Sequence, residues 1–457
     1  MPTPGPGTAA VQAVYTNDLV SSFDIIKPDV WAKLIRRHGK QGAEFFSTIR
    51  SLGFEVPTSN EDYSHFEDDW IHETVEAVAP ISVGAAGAVT TFTIGPSSID
   101  ANGDFYIRVK DTILLNDGNQ AYVTDITGTV VTLAPTSPTQ VVTVLAADEL
   151  VINSNANDEG TTQPKGRFSG TRKYENNLQI IKETLEVTGT QMTDGLWFNQ
   201  VQIPGENGTP ISAYYVKGQQ DAEYRLALEM EGALLFGQKN TNPTVAQDPD
   251  TGRSIRTTEG IVPYIVNDGN EVNYTPGSFT VSKFNEINKI ADREHAPSYY
   301  CSFLGIDLHE EIDDTFVDYL KDTNVSFDND VMGGGEMGKQ KGINIGFKYL
   351  NKGGRHYGFK RLHSFSNQKT YGASQYNYPQ WGLFIPLGMN KTDQGKLPTV
   401  GMRYKQLGKY NRFTEVWDVS GAGTGRKVIA EDVSNLYMRA HIGGHFQVGN
   451  QMFKVNP

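Results

Sequence analysis

Two periods of apolar and polar positions alternate along the chain, and the changes between them divide it into parts. Residues 1–27 carry isolated apolar positions among Pro, Gly, Ala and Thr with no stable period. They predict an extended arm, ordered only where something covers it. Pro28 then opens a helix, with Trp31, Leu34 and Ile35 at i, i+3, i+4 spacing. Phe45, Phe46 and Ile49 predict a second short helix, stopped by Gly53. From Phe54 to Val78 the pattern is extended, with Phe66, Trp70, Ile71 and Val75 among many acids. Residues 79–155 are rich in Thr, Val, Ile and Gly, and Asp117-Gly118 and Thr127-Gly128 separate alternating runs as hairpin turns. This stretch predicts a small inserted β-domain, closed by the polar linker 153–162.

The segment Arg172–Thr190 reads as one long strand. Ile181, Leu185 and Val187 alternate with Lys182, Glu186 and Thr188, and Glu183 interrupts the apolar row. Such a strand covers roughly 60 Å at ~3.3 Å per residue. With 54–78 it predicts a two-stranded arm reaching beyond the body of the protein. A helix follows over 210–236, with Leu226, Met230, Ala233 and Leu234 in one stripe and Gly237 as its stop. That stripe is expected to face a sheet built from distant strands, among them the segment 436–455. Gly218 interrupts the helix, at a cost of about 1 kcal/mol relative to Ala. Two more helices are predicted at 282–295 and 306–321, on either side of a buried strand at 299–304. Further strands are expected near 343–350, 355–365, 381–387 and 411–419. The fold class is α+β.

Composition narrows the function. The 457 residues allow two or three domains, and 20% charged with 38% hydrophobic residues suits a soluble globular protein. The net charge of −13 has the wrong sign for a protein that grips nucleic acid tightly. The basic cluster Lys33–Lys40 reads as a solvated helix end. Cys301 is the single cysteine, so no intramolecular disulfide and no cysteine-based zinc site can form. No apolar run approaches the ~20 residues needed to cross a bilayer, and the first twenty residues lack the basic and apolar regions of a secretion signal.

Candidate chemistry is thin. Gly333–Lys339 fits the spacing of a phosphate-binding loop, but Gln340 stands where Ser or Thr would hold magnesium, and no strand precedes it. A surface loop is the better reading. Asp307, His309, Glu310, Glu311, Asp313 and Asp314 crowd the start of a helix, where acids complement its dipole. His65 and His72, seven apart on an extended strand, fall on opposite faces. Asn153, Asn155, Asn157 and Asp158 distantly resemble a calcium loop, but the Gly and the closing Glu are misplaced. His441 and His445 flank a Gly-Gly that argues against a helix. No serine sits in a G-x-S-x-G elbow. Neither an enzyme, nor a metal site, nor a cofactor is expected.

Several segments, in order, resemble one family. These are 65–79 (HFEDDWIHETVEAVA), 146–164, 174–191 (YENNLQIIKETLEVTGTQ), 221–240, 299–313, 383–393 and 403–419. Together they resemble the major capsid proteins of tailed phages that share the Hong Kong 97-type fold, with gut crAss-like and related podophages as particular likenesses. Asn177, Gln179 and Ile180 keep the family's descending-strand pattern, whereas Leu178 and Ile181 depart from it. The resemblance implies an N-terminal arm (1–27), N-terminal helices (28–53), an extended loop (54–78 and 156–200) and the inserted β-domain (79–155). It further implies a peripheral domain with a spine helix (201–298), an axial domain (299–430) and C-terminal strands returning to the peripheral domain (431–457).

The implied function is self-assembly into hexamers and pentamers of an icosahedral capsid that encloses double-stranded DNA, built in the bacterial host cytoplasm. The implied partners are further copies of the chain, a separate scaffolding protein, a portal, auxiliary or decoration proteins, and packaged DNA touched non-specifically at the inner surface, with no membrane. Lys165 and Lys173 lie where some relatives form an isopeptide cross-link, but no partner Asn or activating Glu is apparent. Phe66, Trp70, Ile71, Arg172, Lys173, Ile181 and Leu185 are the expected assembly contacts, because an apolar face left in water costs ~25 cal/mol per Å². A tail or baseplate β-protein is the alternative, weakened by the predicted helices. A carbohydrate-acting enzyme would need paired carboxylates in a cleft.

Overall fold

The computed structural model describes residues 43–68, 74–78, 82–99, 103–164, 166–167, 170–193, 213–322, 348–392, 395–422 and 427–457. The arm 1–27, the helix opened by Pro28, the loop 333–339, and Trp70, Ile71, His72 and Lys165 lie outside the described residues. The chain forms two units, one of residues up to Tyr63 together with Asn176–Pro457, the other Ser64–Glu175.

The first unit is organised by the 14-residue strand Val433–Phe446. On one side Gln179–Thr188 runs antiparallel to it, from Gln179 opposite Ile442 to Thr188 opposite Val433. The other side is shared. Thr414–Ser420 pairs with its first half and Val400–Leu407 with its second, and Glu55–Thr58 extends the sheet parallel to Val400–Leu407. Leu436, Met438, Ala440 and Ile442, two apart and so on one face, are buried. The helix Ala213–Phe236 packs on this sheet through Leu226, Met230, Ala233 and Leu234, all buried, as their spacing predicts. The helix passes unbroken through Gly218. A Cβ there would lie 2.8 Å from Leu185 Cδ1, so the glycine is the space that Leu185 fills.

A second sheet of the same unit has the strand order Asn270–Asn273, Phe453–Asn456, Gly382–Pro386, Tyr299–Leu304, Arg355–Arg361, Lys348–Lys352. Helices Val281–Arg293 and Ile306–Asp322 contribute Phe284, Ile287, Leu308 and Ile312 to its core. Phe284 sits at the centre, with the rings of Phe279, Phe316, Tyr357, Phe359 and Phe384 all 5.2–6.1 Å away, mostly edge-to-face. Edge-to-face contacts of this kind add about 0.5–1.5 kcal/mol per pair beyond the area they bury.

The second unit holds a closed barrel whose strands are Val75–Val78, Thr90–Ile94, Val130–Pro135, Gln120–Thr127, Asp111–Leu114 and Glu149–Asn155. Phe92, Ile113, Val123, Val131, Leu133, Leu150 and Ile152 fill it. Gly118 and Gly128 take the left-handed conformation, φ 82° and 61°, that tight hairpins demand. Val75 and Ala77 are buried in the barrel, so its wall begins before residue 79. Asp111, fully buried, receives the guanidinium groups of Arg108 and Arg167, which anchors the chain beyond the linker.

The long strand expected at 172–190 is two strands. Thr171–Asn177 forms a ribbon with Asp62–Asp68, and the chain changes units within this pair. Leu178 breaks the run. Its amide donates to the Glu61 carbonyl at 2.8 Å and its side chain is buried, after which Gln179 begins the strand of the main sheet. No helical period in the sequence marks the helix Ile261–Asp268, which is short, apolar over its first six residues, and carries a proline in its first turn where no amide donor is needed.

Replacing Leu234 by Ala should cost about 2–5 kcal/mol in a denaturant titration, and Leu234→Asp should abolish folding. Soluble Leu234→Asp protein with a native-like melt would contradict this packing. A fragment 74–157 should melt cooperatively and well above a fragment 79–155, which lacks one wall of the barrel. Equal melting of the two would show that Val75–Val78 adds nothing to closure.

Candidate assembly surface

The ribbon Asp62–Asp68 with Thr171–Asn177 starts from a closely fitted base in the first unit. Tyr63 donates its hydroxyl proton to the Gly444 carbonyl. Asn176 Nδ2 donates to the carbonyls of Gly444 at 2.9 Å and Glu259 at 3.1 Å, while its Oδ1 accepts from the Glu259 amide at 2.8 Å. The Gly444 amide donates to Thr258 Oγ1 at 2.9 Å. This approach needs both glycines. A Cβ on Gly443 would stand 2.6 Å from the Asn177 carbonyl and from the Tyr63 hydroxyl, and one on Gly444 would stand 2.8 Å from the Glu259 carbonyl. Burial pushes the Tyr63 hydroxyl well above its ordinary pKa, which keeps it a donor. The Gly-Gly that spoke against a helix is thus the seat of the ribbon's base, a role with no signal in composition or period.

Along the ribbon, Phe66 is 67% exposed. Arg172 and Lys173 are exposed, and Lys173 pairs with Glu175. Ile181 and Leu185 lie elsewhere. Both belong to the main sheet, where Ile181 is buried and Leu185 is half-buried against Gly218 of the long helix. The expectation that these two need a neighbouring copy to cover them is corrected, because their own chain does so.

The main sheet carries a second feature on the opposite face from the long helix. Arg439 stands opposite Glu415 and Lys182, and Tyr437 opposite Trp417. Arg439 Nε donates to Glu415 Oε2 at 2.8 Å, and its guanidinium carbon lies 5.2 Å from the Trp417 ring centre. His441 is buried on this face. Burial, reinforced by Arg412, Lys405 and Arg439, pushes its pKa down to about 4, so it is neutral at pH 7. The positive potential lies beside exposed Leu407 and Tyr410 and the 41% exposed Trp417. A chain of net charge −13 thus gathers cations and apolar side chains at one place.

The other candidates resolve into structural roles. Glu311 accepts from the amides of Gly277 at 2.8 Å and Phe279 at 3.2 Å, holding the loop before the helix Val281–Arg293. His65 stacks on Tyr174 and contacts Glu67 Oε1 at 2.9 Å. Cys301 is buried, and its thiol is pushed far up by desolvation, so it stays protonated and unreactive. Among the described residues no group of three or more His, Cys, Asp or Glu could hold a metal, and no helix is long and apolar enough to cross a membrane.

Asn176→Ala should lower stability by at least about 1–3 kcal/mol, since it strands buried backbone groups at the ribbon's base. A urea titration of the full chain measures this, and an unchanged midpoint would remove Asn176 from that role.

Residues 43–333 match the family model of the SU10 major capsid protein. No curated protein matches the sequence. Among solved structures, one from Microbacterium phage Oxtober96 is 12% identical with a TM-score of 0.40, covering 97% of this chain and 99% of that one. Another, from Mycobacterium phage Adephagia, is 10% identical with a TM-score of 0.41, covering 97% and 98%. A third, from Gordonia phage Cozz, is 9% identical with a TM-score of 0.40, covering 99% and 98%. Likenesses this loose carry no argument here. The narrower placement among crAss-like or related podophages gains no support. The family match takes in more than half of the chain, and the protein therefore belongs to the SU10 major capsid protein family of tailed phages.

Proposed function

We propose that copies of this chain assemble as hexamers and pentamers into an icosahedral shell around double-stranded DNA, on a Hong Kong 97-type fold. The family match over residues 43–333 carries this reading. In it, the ribbon and the barrel are the extended loop with its inserted domain, and the long helix Ala213–Phe236 is the spine of the peripheral domain. The second sheet, with the helices Val281–Arg293 and Ile306–Asp322, is the axial domain. The expected boundaries 299–430 and 431–457 are corrected, because Val400–Leu407 and Thr414–Ser420 pair in the main sheet under the spine helix whereas Phe453–Asn456 pairs in the second sheet. Two surfaces support interlocking between copies. The ribbon offers exposed Phe66 beside Asp62 and Asp68, and the sheet face offers Leu407, Tyr410 and Trp417 beside Lys405, Arg412 and Arg439. Aromatic against apolar and acid against base make these complementary, so the ribbon of one copy seats on the sheet face of the next. Trp70, Ile71, Arg172, Lys173 and the N-terminal arm 1–27 are taken as further contacts between copies, separate from this acid-against-base pairing. A heterologous contact of this kind closes into rings when its rotation closes.

The same reading takes a separate scaffolding protein, a portal and decoration proteins as further partners, assembly in the host cytoplasm, and a structural rather than catalytic role. The test is assembly itself. Wild-type protein concentrated after purification should form rings or shells under the electron microscope. Phe66→Asp, at an exposed position, should keep the wild-type melting temperature. Trp417→Asp should lose only about 1 kcal/mol with its Arg439 contact. Both should stay folded and remain unassembled. A burial lost at each such contact is worth about 1.5–3 kcal/mol, multiplied over every contact of a ring. Normal shells from both variants would overturn the interlocking role of these surfaces.

A further inference from the structure

The helix Glu44–Leu52 has Ala43 at its N-cap and no side-chain cap of its own. Its second and third amides, which a cap would ordinarily satisfy, find an acceptor 186 and 185 residues away in the sequence. Phe46 donates to Glu231 Oε2 at 2.8 Å and Phe45 to Glu231 Oε1 at 3.1 Å. Ser364 Oγ donates to Glu231 Oε1 at 2.8 Å. Glu231 lies within the long helix and is fully buried. It is therefore a carboxyl group sealed from water with three neutral donors and, among the described residues, no cation at ion-pair distance.

The groups around it do not supply one. Glu44, on the docked helix, is a like charge that adds to the cost of ionising Glu231, and it is itself held by the amide and the ring of His363. Lys360 directs its ammonium to Thr48 Oγ1 at 2.8 Å, on the same helix. The Tyr371 hydroxyl donates to the Leu228 carbonyl at 2.7 Å. On the long helix Arg225 pairs with Glu183, at 2.7 Å, beside Glu229. An ionised Glu231 thus has only dipoles to replace its hydration, which is a costly exchange.

We propose that Glu231 is a proton-controlled latch: neutral, it keeps the helix Glu44–Leu52 seated on the long helix, and its ionisation favours release of that helix. Desolvation, opposed by the three donors, raises the Glu231 pKa from 4.5 to about 7. Between those two values the seated state holds a proton that the released state gives up. Release is therefore favoured as pH rises from 4.5 through 7, and no further gain accrues above 7. The latch works from pH 4.5 up to about neutrality, where a modest change in conditions alters how firmly the helix is held.

Hydrogen exchange on the full chain, read by mass spectrometry and corrected for intrinsic exchange rates, tests this. Between pH 6 and pH 8.5 the protection of the amides of Phe45–Leu52 should fall about tenfold in the wild type. Protection in the strand Tyr299–Leu304 should stay constant. Glu231→Gln keeps a carbonyl acceptor and removes the titration, so its protection should not change over that range. Ser364→Ala withdraws one donor from the carboxylate and should enlarge the fall beyond tenfold, which keeps the test open if Glu231→Gln folds poorly. A pH-independent wild type, an equal fall in Glu231→Gln, or an undiminished tenfold fall without enlargement in Ser364→Ala would each overturn the latch.

Discussion

The backbone of Val433–Phe446 has to be paired along both edges, and the first unit is arranged around that requirement. Its amides and carbonyls are buried under the long helix, where an unpaired group would cost about 1–3 kcal/mol. Gln179–Thr188 pairs one edge, and Thr414–Ser420 with Val400–Leu407 divides the other. Every one of these strands is placed by the same partner. The long helix then covers the face made by Leu436, Met438, Ala440 and Ile442, and the glycine pair near the strand's end admits the base of the ribbon.

Much of this organisation is legible in the sequence, and the reason is periodicity. The stripe Leu226, Met230, Ala233, Leu234 and the spacing of Phe284 and Ile287 specify helices whose buried sides are where the pattern puts them. Gly53 ends the helix Glu44–Leu52 in the left-handed conformation, as its position suggests, and Asp117-Gly118 makes its hairpin. These are local signals, and local chemistry decides them.

What was not legible depends on partners distant in sequence. The alternation of Gln179–Thr188 does not say whether its apolar side meets a neighbour or its own helix, so in the sequence Ile181 and Leu185 read as interface residues although Gly218 receives Leu185 within the chain. Leu178 looks like one more strand residue, yet the chain leaves the ribbon there. Glu231 stands beside Met230 as an ordinary helical acid, and its burial is set by Phe45 and Ser364, which no pattern links to it. Gly443 and Gly444 read only as helix breakers, because close approach of another backbone leaves no trace in local composition.

The barrel and the main sheet differ in how far along the chain their strands are gathered. Every strand of the barrel lies between Val75 and Asn155. The main sheet draws on Glu55, on Gln179 and on a strand that begins only at Val433. On a ribosome, therefore, the barrel has all its parts while most of the chain is still to be made. The long helix can meanwhile meet Gln179–Thr188, but the rest of its apolar stripe waits until Val433–Phe446 emerges. A chain with such separated contacts folds slowly and exposes sticky surface on the way, a liability that the barrel, gathered from strands close together in the sequence, largely escapes.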